Sequence, residues 1–120
     1  ERDIEWIKTI RKELDKLNVY SKLHISSAHK NTQDVINIIN DYNKYHGKRK
    51  IVFIAIAGLS NALGGVLGAN SKYPVVNCPP LGNDLQINVW SSLMCPTYTP
   101  VATILSPINC ALYVGKMLNN

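Results

Sequence analysis

The stretch Ile51–Ala57 reads Ile-Val-Phe-Ile-Ala-Ile-Ala and decides the fold. It is continuously apolar and rich in β-branched residues, a pattern typical of a strand that is buried on both faces of a parallel sheet. Amphipathic helical patterns lie on either side of it in the chain, so helices must cover the two faces. We therefore predict an α/β fold, a three-layer α/β/α sandwich built on a doubly wound, flavodoxin-like parallel sheet.

The other predicted elements alternate between helix and strand. The predicted helices are one capped by Asp3, one capped by Asn31 and ending near Gly47, two over 60–70 and 86–93, and one opened by Pro107. The predicted strands are 19–26, 51–57, 74–77 and 101–105. Folds of this kind usually begin with a central strand, whereas Glu1 precedes a helix. We therefore expect a further strand before Glu1, and we interpret residues 1–120 as one N-terminally incomplete domain.

Composition narrows the class of protein. A chain of 120 residues with 46% hydrophobic and 18% charged residues is an ordinary globular domain rather than a disordered one. The net charge of +5 is spread along the chain without a nucleic-acid-binding motif, so we expect no nucleic acid partner and attribute part of the excess to an anionic small substrate.

The cysteines and the apolar runs bear on the compartment. Cys78, Cys95 and Cys110 are odd in number and lack metal-ligand spacing, which predicts neither a disulfide framework nor a zinc site and favours a cytoplasmic location. The longest apolar run is too short to span a bilayer, so we expect no membrane anchor.

Two segments that directly follow predicted strands carry side chains suited to chemistry. His29 follows one strand, and an imidazole with a pKa of about 6.5 suits proton transfer at neutral pH. Its neighbours Ser26, Ser27 and Lys30 supply hydroxyl groups and a cation for a phosphate or carboxylate. The alternative interpretation is an ordinary loop histidine beside an exposed lysine.

After the strand 51–57, Gly58, Ser60 and Asn61 form a second such segment. They are similar to a strand-to-helix cradle in which unpaired amides at a helix start bind negative charge. Cys78, between Asn77 and Pro79, is a candidate nucleophile, but a buried inert thiol is the preferred interpretation because no partner base is indicated.

Five motifs share one order and spacing with a known family. They are Ser27-Ala28-His29-Lys30, Ala57-Gly58-x-Ser60-Asn61-x-Leu63, Asn70-x-x-Tyr73-Pro74-Val75, Cys78-Pro79-Pro80 and Trp90-Ser91-Ser92-Leu93. Together they resemble the class II phosphoribosylaminoimidazole (AIR) carboxylases of purine biosynthesis over essentially the whole chain. Lysine after the histidine resembles the carboxylase class, whereas the related mutases characteristically have arginine there.

The resemblance implies an enzyme that joins CO2 to C4 of AIR without biotin, ATP or a metal, in a compact homo-octamer. It implies that His29 moves the C4 proton and that Lys30, Ser60 and Asn61, with the region of Gly58, bind the CO2 or the developing carboxylate. Ser27 would help to hold the ribose phosphate, and Asp3 would bind ribose hydroxyls. The chemistry needs only two oriented reactants and one proton shuttle.

The chain also departs from the family pattern. Leu59 stands where arginine is usual, Asn88 where aspartate is frequent, and the stretch Met94–Tyr98 replaces an Arg-x-Pro-Ser-Gly type sequence, with Tyr98 in place of the glycine. These departures leave open a drifted paralogue that acts as a binding or structural subunit. Carboxylation of a different ring nucleotide is a third reading.

Overall fold

A computed structural model describes residues 2–57, 62–80 and 85–119. The elements in chain order are α1 (Arg2–Lys16), α2 (Thr32–Asn43), β1 (Phe53–Ala55), α3 (Ala62–Asn70), β2 (Val75–Asn77), α4 (Leu85–Leu93), β3 (Ala102–Thr103) and α5 (Pro107–Leu118). The strands form one sheet in the order β1-β2-β3, and both pairings are parallel. The predicted α/β class with a parallel sheet is confirmed.

The sheet separates two apolar clusters. On one face, α1 and α5 pack together over β2 through residues that include Ile10, Val76 and Val114. On the other face, α2 and α3 cover Ala55 and Val75. Consecutive strand residues point to opposite faces, which is why Val75 and Val76 belong to different clusters. This arrangement is the three-layer sandwich that the sequence predicts.

The predicted strand over 19–26 is wrong. These residues run without regular secondary structure, and Tyr20 and Ile25 are 83% and 88% exposed. A β-prone sequence forms a strand only beside a neighbour that completes its hydrogen bonds, and no strand pairs with this segment in the part of the chain that the structure describes. Side chains hold it instead: the Arg11 guanidinium donates to Ser21, and His24 hydrogen-bonds the Tyr42 hydroxyl over 2.8 Å.

The helix boundaries correct three details. Asp3 is not an N-cap but lies in the first turn of α1, where its carboxylate still interacts favourably with the positive end of the helix dipole. Asn31 occupies the N-cap position of α2 without a side-chain capping bond, and α2 ends at Asn43. Gly47 lies in the turns that follow, at φ +86°, a conformation that glycine adopts freely.

The start of α5 is formed as predicted. Pro107 occupies the first turn, and the Ser106 side chain accepts a hydrogen bond from the Asn109 amide over 3.1 Å. We expect Ser106→Ala to lower the free energy of unfolding by about 1 kcal/mol, because α5 then loses the hydrogen bond that caps its first turn. Urea unfolding of both proteins measures the difference. Ser106→Asp keeps an acceptor at this position and serves as the control; equal losses in the two variants would contradict the capping role.

Candidate active site at the carboxyl end of the sheet

The carboxyl ends of the three parallel strands meet at one edge of the sheet, the usual ligand site of open α/β folds. There β2 ends at Asn77, and Cys78 continues the sheet by donating its amide to the Ala55 carbonyl over 2.9 Å. The Trp6 indole donates to the Cys78 carbonyl over 3.0 Å and so brings the first turns of α1 to the same edge. The helix α3 begins at Ala62, a few residues after β1.

His29 lies in a tight turn that leads into α2. The Asn31 amide donates to the Ser27 carbonyl over 2.8 Å, and the Lys30 amide donates to the Ser27 hydroxyl over 3.1 Å. The Ser26 hydroxyl donates to Asp34 over 2.8 Å. The imidazole of His29 and the ammonium of Lys30 are exposed, and neither has a hydrogen bond or ion pair within the described ranges. Both groups are accessible to a ligand.

The structure therefore brings Ser27, His29 and Lys30 together in one turn. Asp3 is exposed in the first turn of α1, and among the described residues no hydrogen bond or ion pair joins it to that turn. Gly58, Ser60 and Asn61, together with Leu59, lie outside the described residues. Their predicted roles stay predictions.

Cys78 lies in the interior, as the interpretation of a buried thiol predicts. Cys78 and Cys110 are fully buried, and all three cysteines are free thiols. The hydrogen bond between the two side chains, together with burial, raises the pKa of Cys110, and the same hydrogen bond lowers the pKa of Cys78. The pair lies in the apolar cluster between β2 and α5.

Sequence reasoning missed a buried polar cluster at this edge of the sheet. Asn77 donates its amide to the Ser92 carbonyl over 3.3 Å, and the Thr103 hydroxyl donates to the same oxygen over 3.2 Å. Asn77 and Ser92 are both fully buried. The Ser92 carbonyl is one of the last carbonyls of α4, which have no partner inside the helix, so side chains from β2 and β3 stabilise that helix end. The Trp90–Leu93 motif pointed to this helix but carried no sign of the contact.

Tyr98 stands in a left-handed conformation, with φ +70°, and its side chain is 94% exposed. This backbone conformation is one that glycine adopts without strain, which is consistent with the glycine that the family pattern implies at this position. The Tyr98 ring therefore extends into solvent and does not fill space inside the subunit.

Two wider properties of the described part of the chain bear on function. No cluster of three or more histidine, cysteine or acidic residues with the proximity of a metal site occurs there. Within residues 2–57, 62–80 and 85–119, none of the helices has both the length and the apolar character needed to cross a membrane.

A parallel α/β sandwich with a histidine-bearing turn and a polar carboxyl edge belongs to the class of open α/β folds that bind ligands at the carboxyl ends of their strands. The family model for AIR carboxylase matches residues 1–120. The chain belongs to the AIR carboxylase family.

Individual relatives agree with this assignment. The chain is 37% identical over 117 residues to the bifunctional phosphoribosylaminoimidazole carboxylase/phosphoribosylaminoimidazole succinocarboxamide synthetase of Drosophila melanogaster, covering 97% of this chain and 27% of that protein. It is 33% identical to the phosphoribosylaminoimidazole carboxylase of Archaeoglobus fulgidus, covering 96% of this chain and 62% of the relative. The crystal structure of Treponema denticola PurE superposes with a TM-score of 0.90 at 30% identity, covering 98% of this chain and 73% of that one.

The chain thus spans about a quarter of the length of the bifunctional animal relative and a larger share of the single-function proteins. The shared family and fold are shown for the chain itself.

Proposed function

We propose that the protein carboxylates AIR with CO2 to give 4-carboxy-AIR in purine biosynthesis. The observation that carries the proposal is the match of the AIR carboxylase family along the entire chain, residues 1–120. The exposed His29 and Lys30 side chains, in a turn whose geometry leaves them open to a ligand, are consistent with it.

The proposed mechanism uses the nucleophilicity that the amino group already gives to C4 of AIR. C4 attacks the carbon of CO2, a carbon–carbon bond forms, and one C=O bond opens to a carboxylate. The proton on C4 then passes to the His29 imidazole, which restores the aromatic ring, and the imidazolium returns the proton to solvent. Lys30 with Gly58, Ser60 and Asn61 stabilises the carboxylate, Ser27 holds the phosphate, and Asp3 holds the ribose.

The direct test is an assay of carboxy-AIR formation from AIR and bicarbonate by the whole protein. Turnover that depends on bicarbonate and needs no ATP is the expected result. Calorimetric binding of AIR without turnover would overturn the proposed activity and support the drifted paralogue. Absence of both turnover and AIR binding, with carboxylation of another ring nucleotide, would support the third reading.

We propose, as the family resemblance implies, that the subunit self-associates into a homo-octamer. Gly64 and Gly68 of α3 do not provide this subunit contact, because a Cβ added at these positions would meet Asn77 and Val101 of the same chain. The better support is an exposed apolar set around the end of α4. It comprises Trp90, Leu93, Met94 and Tyr98. Exposed apolar surface of this kind marks interaction sites.

Light scattering of the whole protein at micromolar concentration tests the assembly. An octameric mass is the expected result, and Trp90→Lys is expected to lower it because a charge would then be buried in the contact. Ile4→Lys, which alters an exposed apolar residue on α1 instead, is the matched control. A stable wild-type monomer would contradict the proposal.

We also propose that a further apolar strand of the protein lies beside β1. One edge of β1 pairs with β2, and along its other side lies a cavity of about 1010 Å³ that also borders the irregular segment 18–24. Its walls include Val19, Leu23, Val52 and Ile54. An apolar parallel strand there would pair with β1 and give the segment its missing neighbour. Intact mass spectrometry of the protein is expected to exceed 13.4 kDa; a mass of 13.4 kDa would contradict the proposal.

The free state of all three cysteines is consistent with a reducing compartment, and we propose the cytoplasm, where purine precursors would reach the enzyme. Fractionation of the source cells is expected to recover the protein with the cytosol; recovery with membranes would contradict this location.

A further inference from the structure

We propose that Asn77 is a positioning residue, which sets the place of the first turn of α3, the helix that follows the proposed CO2-binding residues in the chain; this role rests on the proposed function. The geometry behind it is a contact between three elements. Asn77 lies at the carboxyl end of β2, the central strand, where it pairs with Ala55 of β1 and lies beside Thr103 of β3. Its side chain reaches both α4 and α3.

The orientation of the Asn77 amide follows from its partner. The Ser92 carbonyl can only accept a hydrogen bond, so the amide nitrogen must face it, as the 3.3 Å distance shows. The amide oxygen is then directed towards the first turn of α3. A Cβ added to Gly64 would lie 2.7 Å from the amide carbon of Asn77 and nearer still to the amide oxygen. The backbone of α3 therefore rests directly on this side chain.

The same oxygen has no hydrogen-bond donor among the described residues, although the side chain is fully buried. An unsatisfied buried acceptor destabilises the folded state. An apolar side chain at this position would avoid that cost, so stability alone does not account for an asparagine. A fixed spacing between β2 and α3 accounts for the asparagine, because its planar amide donates a hydrogen bond to α4 on one side and acts as a spacer for α3 on the other.

A displacement of α3 is expected to affect one of the two substrates more than the other. The helix α3 begins at Ala62, immediately after Gly58, Ser60 and Asn61, the residues proposed to act on CO2. The residues proposed to hold AIR, Ser27 and Asp3, lie on other parts of the chain. A shift of α3 should therefore weaken the use of CO2 and leave AIR binding unchanged.

The experiment compares Asn77→Ala, Thr103→Val and the double variant Asn77→Ala with Gly64→Ala. In Asn77→Ala we expect kcat/KM for bicarbonate to fall about tenfold to a hundredfold with the KM for AIR unchanged, since a displacement of about 1 Å can reduce rates by up to that factor. Thr103→Val removes a hydroxyl donor to the Ser92 carbonyl without removing the Asn77 spacer, so its kinetic constants should stay near wild type. In the double variant, the methyl group introduced by Gly64→Ala occupies space that the amide has left, and we expect most of the loss to be recovered.

Equal losses of kcat/KM for bicarbonate in Asn77→Ala and Thr103→Val, or no recovery in the double variant, would overturn the inference. Hydrogen exchange tests the positioning role of Asn77 independently of the proposed function. Amides of α3 should lose protection in Asn77→Ala and regain it in the double variant, whether or not the wild-type protein carboxylates AIR. Unchanged protection of α3 in a folded Asn77→Ala protein would overturn the positioning role even in an active enzyme, whereas restored protection with an inactive wild type would overturn only the proposed function.

Discussion

His29→Asn is expected to lower kcat for the carboxylation of AIR by about two to four orders of magnitude, the usual contribution of a general acid–base group. Asparagine keeps the hydrogen-bonding shape of one edge of the imidazole but cannot carry a proton. Affinity for AIR should therefore remain nearly unchanged. Steady-state assays give the loss of turnover, and calorimetry measures AIR binding separately.

Lys30→Met is the comparison for this experiment. The ammonium of Lys30 acts through its charge, so its loss should weaken both turnover and substrate binding. Neither side chain has a partner among the described residues, so neither substitution should change the free energy of unfolding by more than about 0.5 kcal/mol. Wild-type turnover in His29→Asn would eliminate the proton-transfer role and return His29 to the reading of an ordinary loop residue.

Gly64→Ala is expected to lower the free energy of unfolding by about 1–3 kcal/mol, the range for overpacking a well-filled core. The new Cβ would lie 2.7 Å from the amide carbon of Asn77, and both Gly64 and Asn77 are buried, so neither α3 nor β2 can yield without disturbing the sheet. Urea or thermal unfolding measures the change.

The next residue in the helix is a matched control. A Cβ at Gly65 would meet no atom within 4 Å, so Gly65→Ala should raise the free energy of unfolding by about 0.5–1 kcal/mol through helix propensity alone. Changes of opposite sign in the free energy of unfolding for the two variants would identify the contact between Gly64 and Asn77. A stabilised Gly64→Ala protein would show that α3 does not rest on that side chain.

Local sequence patterns were sufficient for the elements whose signals lie within a few residues. The apolar run at 51–57 contains β1, Val75–Asn77 forms a strand as predicted, and Pro107 opens α5. The same patterns failed over residues 19–26, since their β-prone composition describes a strand only where a neighbouring strand is present. In the candidate site, the turn around His29 could be predicted because it is formed by neighbouring residues. The contacts of Asn77 could not, because its partners lie far away in the chain.

The sequence by itself determined the α/β class, the order of most elements and the His29–Lys30 pair after a predicted strand, because composition and periodicity are properties of neighbouring residues. The resemblance of its motifs to those of AIR carboxylases indicated the family. Only the tertiary structure decided that Asn77 joins α3, α4 and the central strand, that Gly64 is small to admit its amide, and that Cys78 meets Cys110. Those residues lie far apart in the chain, and no local pattern records a distance that exists only once the sheet has brought its strands and helices together.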